Sequence, residues 1–151
     1  MGGLLRMKRN LPRDTERAMS EENVEVVRQA YAAYAEHGVE GVLAFVAEDM
    51  VIYSIPEWPD DAEYHGHDGF RKLNRQWLEN FDQFGFDLHE LRDAGDEVVV
   101  LLEMTGRIKG SGVPIRQPLG GIFGDITGGL IGSVRYYLTW RHTLEAAGLS
   151  E

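Results

Sequence analysis

The chain has 151 residues, a net charge of −10 and no cysteine, with 43% hydrophobic and 26% charged side chains. That is enough for one soluble domain with a real core. It excludes disulfides and thiolate chemistry, and it argues against nucleic-acid or anionic-membrane partners, whose phosphates need clustered Lys and Arg. Nothing argues for export, so a cytoplasmic location is expected.

Residues 1–18 differ from the rest. They carry Arg6, Lys8, Arg9, Arg13 and Arg17 against Asp14 and Glu16. Leu4 and Leu5 are too few for the apolar segment of a signal peptide, and no window approaches a membrane span. Helical patterning begins only at Ser20, so 1–18 is read as a disordered extension, or as a start codon assigned too far upstream. The domain is then 19–149.

Ser20 is the expected cap of the first helix, with Glu21 and Glu22 where the helix dipole favours acids. Val24, Val27, Tyr31 and Tyr34 recur at helical spacing, and Gly38 suits the left-handed residue that ends a helix. A short second helix holds Val42, Leu43, Phe45 and Val46. Met50 to Ile55 reads as a strand, and Pro56 and Pro59 force a loop around Trp58. The third helix is predicted from about Asp68 to Phe81, with Phe70, Leu73, Trp77 and Phe81 as its apolar stripe.

From Phe84 the period changes to two. Phe84, Phe86 and Leu88 alternate with polar or small residues, and Ala94-Gly95-Asp96 is a tight hairpin connection. The longest strand is Val98 to Lys109, apolar at Val98, Val100, Leu102, Met104 and Ile108. Lys109-Gly110-Ser111-Gly112 turns the chain into a strand from Val113 to Phe123. Thr127-Gly128-Gly129 turns it into another, from Leu130 to Trp140. Residues 143–149 form a last helical turn or docking segment. The expected fold is α+β: three N-terminal helices against one face of a strongly curved, mainly antiparallel sheet, in a cone with a central pocket. Val99, Leu101, Ile131 and Tyr137 are expected on its outer face, where a homodimer would form by two-fold pairing.

Several stretches together resemble the SnoaL-like polyketide cyclase family, part of the nuclear transport factor 2-like superfamily. They are Ser20 to Tyr31 with Gly38, Tyr64-His-Gly-His-Asp-Gly69, Asp93-Ala-Gly-Asp-Glu-Val98 and Leu144-Glu-Ala-Ala-Gly-Leu149, covering about residues 19–149. The resemblance implies the cone fold and a tendency to dimerise through the sheet. It does not select an activity, because the superfamily holds isomerases, dehydratases, epoxide hydrolases, cyclases and non-catalytic binders.

Related ketosteroid isomerases pair a general-base carboxylate with a tyrosine and a protonated acid that stabilise an enolate. By the resemblance, the tyrosine falls on Tyr31, the base on Ser54 and the acid on Gly121. A serine hydroxyl is no base unaided, and glycine has no side chain. Tyr31 also fits the plainer reading of a core tyrosine with a satisfied hydroxyl. The aspartate of a common Tyr-x-Asp ending falls on Thr139. Glycines in Pro118–Gly124 mark either a tightly curled sheet or a close approach to backbone.

Other motifs are weaker. His65-x-His67 with Asp68 has ligand-type residues, but neighbours on one short loop rarely face one ion; Gly66 as the turn and Asp68 as a helix cap explain them. No nucleotide loop or serine-hydrolase elbow is present, and no cofactor or metal is expected. Asp60, Asp61 and Glu63 read as a solvated rim. Arg107, Arg116 and Arg135 are placed to pair with Glu103 across a sheet face.

A mostly apolar pocket follows, lined by Tyr31, Trp58, Trp77, Met104, Phe123 and Tyr136, with Ser54 and Gln117 as its polar pair. It suits an apolar small molecule, with isomerase, cyclase or hydrolase chemistry left open. The alternative is a non-catalytic homodimeric interaction module whose cavity is filled by its own side chains. A roomy, open void favours the first and a closed core the second.

Overall fold

The computed structural model describes residues 13–55 and 62–150, with side chains from Arg17 onward. Helix α1 (Arg13–His37) is followed by the short α2 (Val39–Val42) and a 3-10 turn (Leu43–Phe45). Strands β1 (Val46–Tyr53) and β2 (Glu63–His65) lead into α3 (Gly66–Asn80). Then come β3 (Phe81–Ala94), β4 (Glu97–Ile108), β5 (Pro114–Gly124) and β6 (Ile131–Tyr137), closed by α4 (Trp140–Ala146).

The six strands form one unclosed sheet in the order β2-β1-β6-β5-β4-β3, antiparallel except for the β1–β6 pair. Its curvature has local causes. The β1–β6 register shifts between Val46 and Val51, and β3 shifts against β4 at two places, one beside Gln83, whose φ is 55°. Each irregularity bends one strand relative to its partner. The concave face takes Val98, Val100, Leu102 and Met104 of β4, packed with Val27 of α1 and Leu73 and Trp77 of α3. The alternation read from the sequence therefore points the expected residues at the helices.

Several local expectations are met. Gly38 has φ 73° and its N–H returns to Tyr34 O at 2.8 Å, ending α1. Gly95, φ 80°, makes the two-residue turn between β3 and β4, held by Asp93 Oδ1 on its N–H at 2.8 Å.

Others are corrected. The first helix already runs at Arg13, ahead of Ser20, because the residues between are adequate helix formers and need no cap at Ser20. The Ser20 hydroxyl instead donates to Gly95 O at 3.2 Å. The expected disordered segment thus meets helix from Arg13 on, while residues 1–12 lie outside the described residues. Asp68 makes no capping bond; it pairs with Arg71 at 2.8 Å, and Arg71 also grips Glu40 of α2. Phe81 opens β3 rather than closing α3.

The outer sheet face also differs. Val99, Leu101 and Ile131, expected to be exposed, are buried, and Tyr137 is half-buried. The cause is α4, a fourth helix, which folds back over the convex face. Its Leu144 packs on Val99, Leu101 and Ile122, with Trp140 and Tyr137 at the edge. Ile131 belongs to the inner core. Gly120 permits this docking: a Cβ there would lie 1.8 Å from Thr143 Oγ1. Thr139, expected from the resemblance to stand where relatives have an aspartate, caps α4 by accepting the His142 N–H at 3.1 Å.

Candidate functional site

Between α1, α3 and the concave sheet lies a cavity of about 30 Å³. Helical spacing brings Tyr31 and Tyr34 of α1 to its wall, and Trp77 comes from the stripe of α3. Strands β3, β5 and β6 supply Phe86, Phe123 and Tyr136, and Met50 comes from β1. The rings interlock edge to face: Tyr31 lies 5.6 Å from Phe86 and 5.9 Å from Phe123, and Trp77 lies 5.5 Å from Phe86. The space left is about that of a single water molecule.

The polar atoms of this wall are nearly all phenols and an indole. Tyr34 donates to the buried Asn74 Oδ1 at 2.6 Å, joining α1 to α3, and burial pushes its pKa up to about 12. Burial also raises the pKa of Tyr31, with smaller contributions from the neighbouring Tyr136, and raises that of Tyr136. All three phenols therefore stay protonated at neutral pH. Although Tyr136 lies close, the buried Tyr31 hydroxyl makes no bond of hydrogen-bonding geometry. Neither does the buried Nε1 of Trp77. A buried polar group left in this state costs about 1–3 kcal/mol. No carboxylate, imidazole or amine lines the cavity among the described residues.

Trp77 also lines a second, larger space. A groove of about 580 Å³ runs between the end of α3 and strands β4 and β5, with Gln76, Asn80, Met104, Arg116 and Gln117 along it. The indole is thus a wall common to the small cavity and the larger groove.

The residues predicted to form one pocket divide between these spaces. Tyr31, Trp77, Phe123 and Tyr136 come together in the cavity; Met104 and Gln117 lie in the groove with Trp77. Ser54 lines neither space; it follows the end of β1, with its N–H on Ala62 O at 2.9 Å. Trp58, with Asp60 and Asp61, lies outside the described residues. Sequence reasoning missed Phe86 and the Tyr34–Asn74 pair as site residues. Tyr34 was legible as the next member of the Tyr31 stripe, but Asn74 carries no signal apart from its neighbours in space.

Gly121, which the resemblance puts at the place of the isomerase acid, faces the core. A Cβ there would lie 2.9 Å from the Phe123 ring and 3.5 Å from that of Tyr136, so these rings fill the room an acid side chain would need. His67 donates to Val46 O at 2.9 Å, while His65 meets Glu63 at 3.1 Å, so the two imidazoles serve different partners. Among the described residues, Asp87, His89 and Glu103 on the convex face are close enough to share an ion. Arg116 already bridges Asp87 and Glu103 there. Of the other two arginines, Arg135 pairs with Glu97 and Arg107 donates to Gly112 O.

The sequence matches the SnoaL-like domain family over residues 27–131. No protein with a curated description matches it. Solved structures share its fold. A hypothetical protein of ketosteroid isomerase-like fold from Catenulispora acidiphila, in complex with trimethylamine, is 20% identical. It aligns over 83% of this chain and 94% of its own at a TM-score of 0.65. TerC, co-crystallised with polyporic acid, is 17% identical, over 84% and 98%, at 0.68. A candidate SnoaL-like polyketide cyclase from Jannaschia sp. CCS1 is 17% identical, over 87% and 94%, at 0.66. At such identities the structures speak for the fold alone. With the family match spanning most of the folded residues, and the cone of helices and curved sheet around its aromatic cavity, the chain belongs to the SnoaL-like domain family.

Proposed function

We propose that this SnoaL-like domain binds a small, mostly apolar molecule through an oxygen that accepts hydrogen bonds, without acid–base chemistry at that site. The observation that carries the reading is the pair of buried donors, Tyr31 Oη and Trp77 Nε1, left without partners in one apolar cavity. A carbonyl oxygen is the acceptor that each of these donors needs, and engaging one relieves its desolvation penalty. Two neighbours of the same fold were solved with small molecules, trimethylamine and polyporic acid, which supports a binding role. Isomerisation by proton abstraction next to a carbonyl needs a base in reach, and the cavity wall offers protonated phenols instead. A cytoplasmic location and a homodimeric state belong to the same proposal.

Since the ligand-free cavity holds about 30 Å³, a ligand must displace an aromatic side chain to enter. The test is binding of 2-acetylnaphthalene, followed by its fluorescence, in wild type and Tyr31→Phe. Binding weakened about two- to tenfold by loss of the hydroxyl is expected. Isomerisation of 5-androstene-3,17-dione, read by ultraviolet absorbance, should be absent. Turnover that collapses in Tyr31→Phe would overturn the non-catalytic part.

The small size of the cavity favours a second reading: an interaction module with a core closed by its own side chains. No binding from a library of apolar carbonyl compounds, with Trp77→Ala equally inert, would establish it over the first.

A further inference from the structure

We propose that the groove between α3 and the β4–β5 hairpin is an outer subsite for the neutral, hydroxyl-bearing end of the ligand whose apolar end occupies the inner cavity. It rests on the ligand-binding reading above and adds the second half of the molecule.

The groove's volume, about 580 Å³, lies within the range of small-molecule sites. It shares the Trp77 wall with the inner cavity, so movement of that indole joins the two. Three side-chain amides line the groove, and each already has one end engaged. Gln76 Oε1 accepts the Tyr64 hydroxyl at 2.5 Å. Asn80 Nδ2 donates to Gln76 O at 2.8 Å, and Gln117 Nε2 donates to Pro118 O at 3.0 Å. The ends left wholly unengaged are the Gln76 amide nitrogen, a donor, and the Asn80 and Gln117 carbonyl oxygens, acceptors.

A hydroxyl both donates and accepts, so it matches this set; a lone carbonyl oxygen or an apolar group uses less of it. Tethering each amide at one end also removes part of the ordering cost of binding. Arg116 lines the groove, yet its guanidinium is bridged to Asp87 and Glu103, so it brings no unbalanced positive charge for an anion. Met104 adds an apolar wall to the groove. The ligand is therefore an elongated neutral molecule, with a carbonyl-bearing apolar end and a hydroxylated end.

The test compares 2-acetylnaphthalene with its 6-(2-hydroxyethoxy) derivative and with the matching sulfonate-tailed derivative, each by fluorescence titration. Wild type should bind the hydroxylated compound about three- to tenfold tighter than the parent, the worth of one added hydrogen bond, with no gain for the sulfonate. Asn80→Leu and Gln117→Met, alone and together, should return that ratio to about one while leaving parent affinity unchanged. Retained parent affinity also shows that each variant is folded. Equal binding of parent and hydroxylated compound in wild type, or a preference that survives the double variant, overturns the subsite and leaves the cavity reading standing. A gain for the sulfonate overturns the neutral assignment. Binding of none of the three overturns both readings together.

Discussion

Tyr31 concentrates the residue-scale question. Its place on the stripe of α1 follows from spacing, and the family resemblance marked it as the surviving part of a lost acid–base set. That its hydroxyl lacks a partner depends on where Tyr136, Phe123 and Phe86 fall, and these come from strands far away in sequence. Tyr31→Phe removes the unsatisfied group while keeping the ring, so it should stabilise the ligand-free protein by about 1 kcal/mol, read from urea denaturation. Destabilisation by a similar amount would mean that a bound water satisfies the hydroxyl. The same substitution should weaken ligand binding, so stability and affinity should move in opposite directions.

At the scale of elements, α4 and the charged network beside it make separate predictions. Gly120 sits under Thr143, which is fully buried, and an added methyl would fall within bonding distance of its side chain. Gly120→Ala should cost about 1–3 kcal/mol through overpacking and should speed hydrogen exchange in 140–146 above all. Unchanged exchange there would show that α4 is not seated through this contact. In the network, hydrogen bonds from His89 first, then from Arg116, hold the Glu103 pKa below its usual 4.5. A carboxylate whose pKa is lower folded than unfolded adds stability above the unfolded value and loses it as pH falls through the folded one. Stability should therefore decline on acidification below about pH 4.5, and Glu103→Gln should make that decline shallower. Parallel urea midpoints against pH for the two proteins check this.

For the whole molecule the open matter is assembly. The apolar residues first expected to carry a dimer are covered, Val99 and Leu101 by α4 and Ile131 by the inner core. An interface on the convex face must then use α4 itself or the charged strip of Asp87, His89, Glu103 and Arg116 next to it. Light scattering at micromolar concentration should give a dimer mass, lowered by salt if that strip takes part, since exposed charges are screened. A monomer mass throughout would refute the dimer.

Spacing and turn chemistry gave the order of the elements apart from the short β2, a change of period that the chain makes at Phe81 rather than Phe84, and the face of β4 that meets the helices. Those properties depend on spacing and turn chemistry within short stretches, as at Gly38 and Gly95. The resemblance to ketosteroid isomerases, read residue by residue, puts Ser54 and Gly121 where those enzymes carry their base and acid, and neither side chain could do that work. Tertiary structure decided the rest. It placed Tyr31 and Trp77 in a nearly filled cavity while setting Gln117 and Met104 in a separate groove, and it laid α4 over a face read as open. Each of those outcomes is a meeting of side chains remote in sequence, such as Thr143 on Gly120 or Phe123 over Gly121, and depends on the bulges that curve the sheet. Local periodicity says which way a residue faces, but the curvature of the sheet decides what it meets.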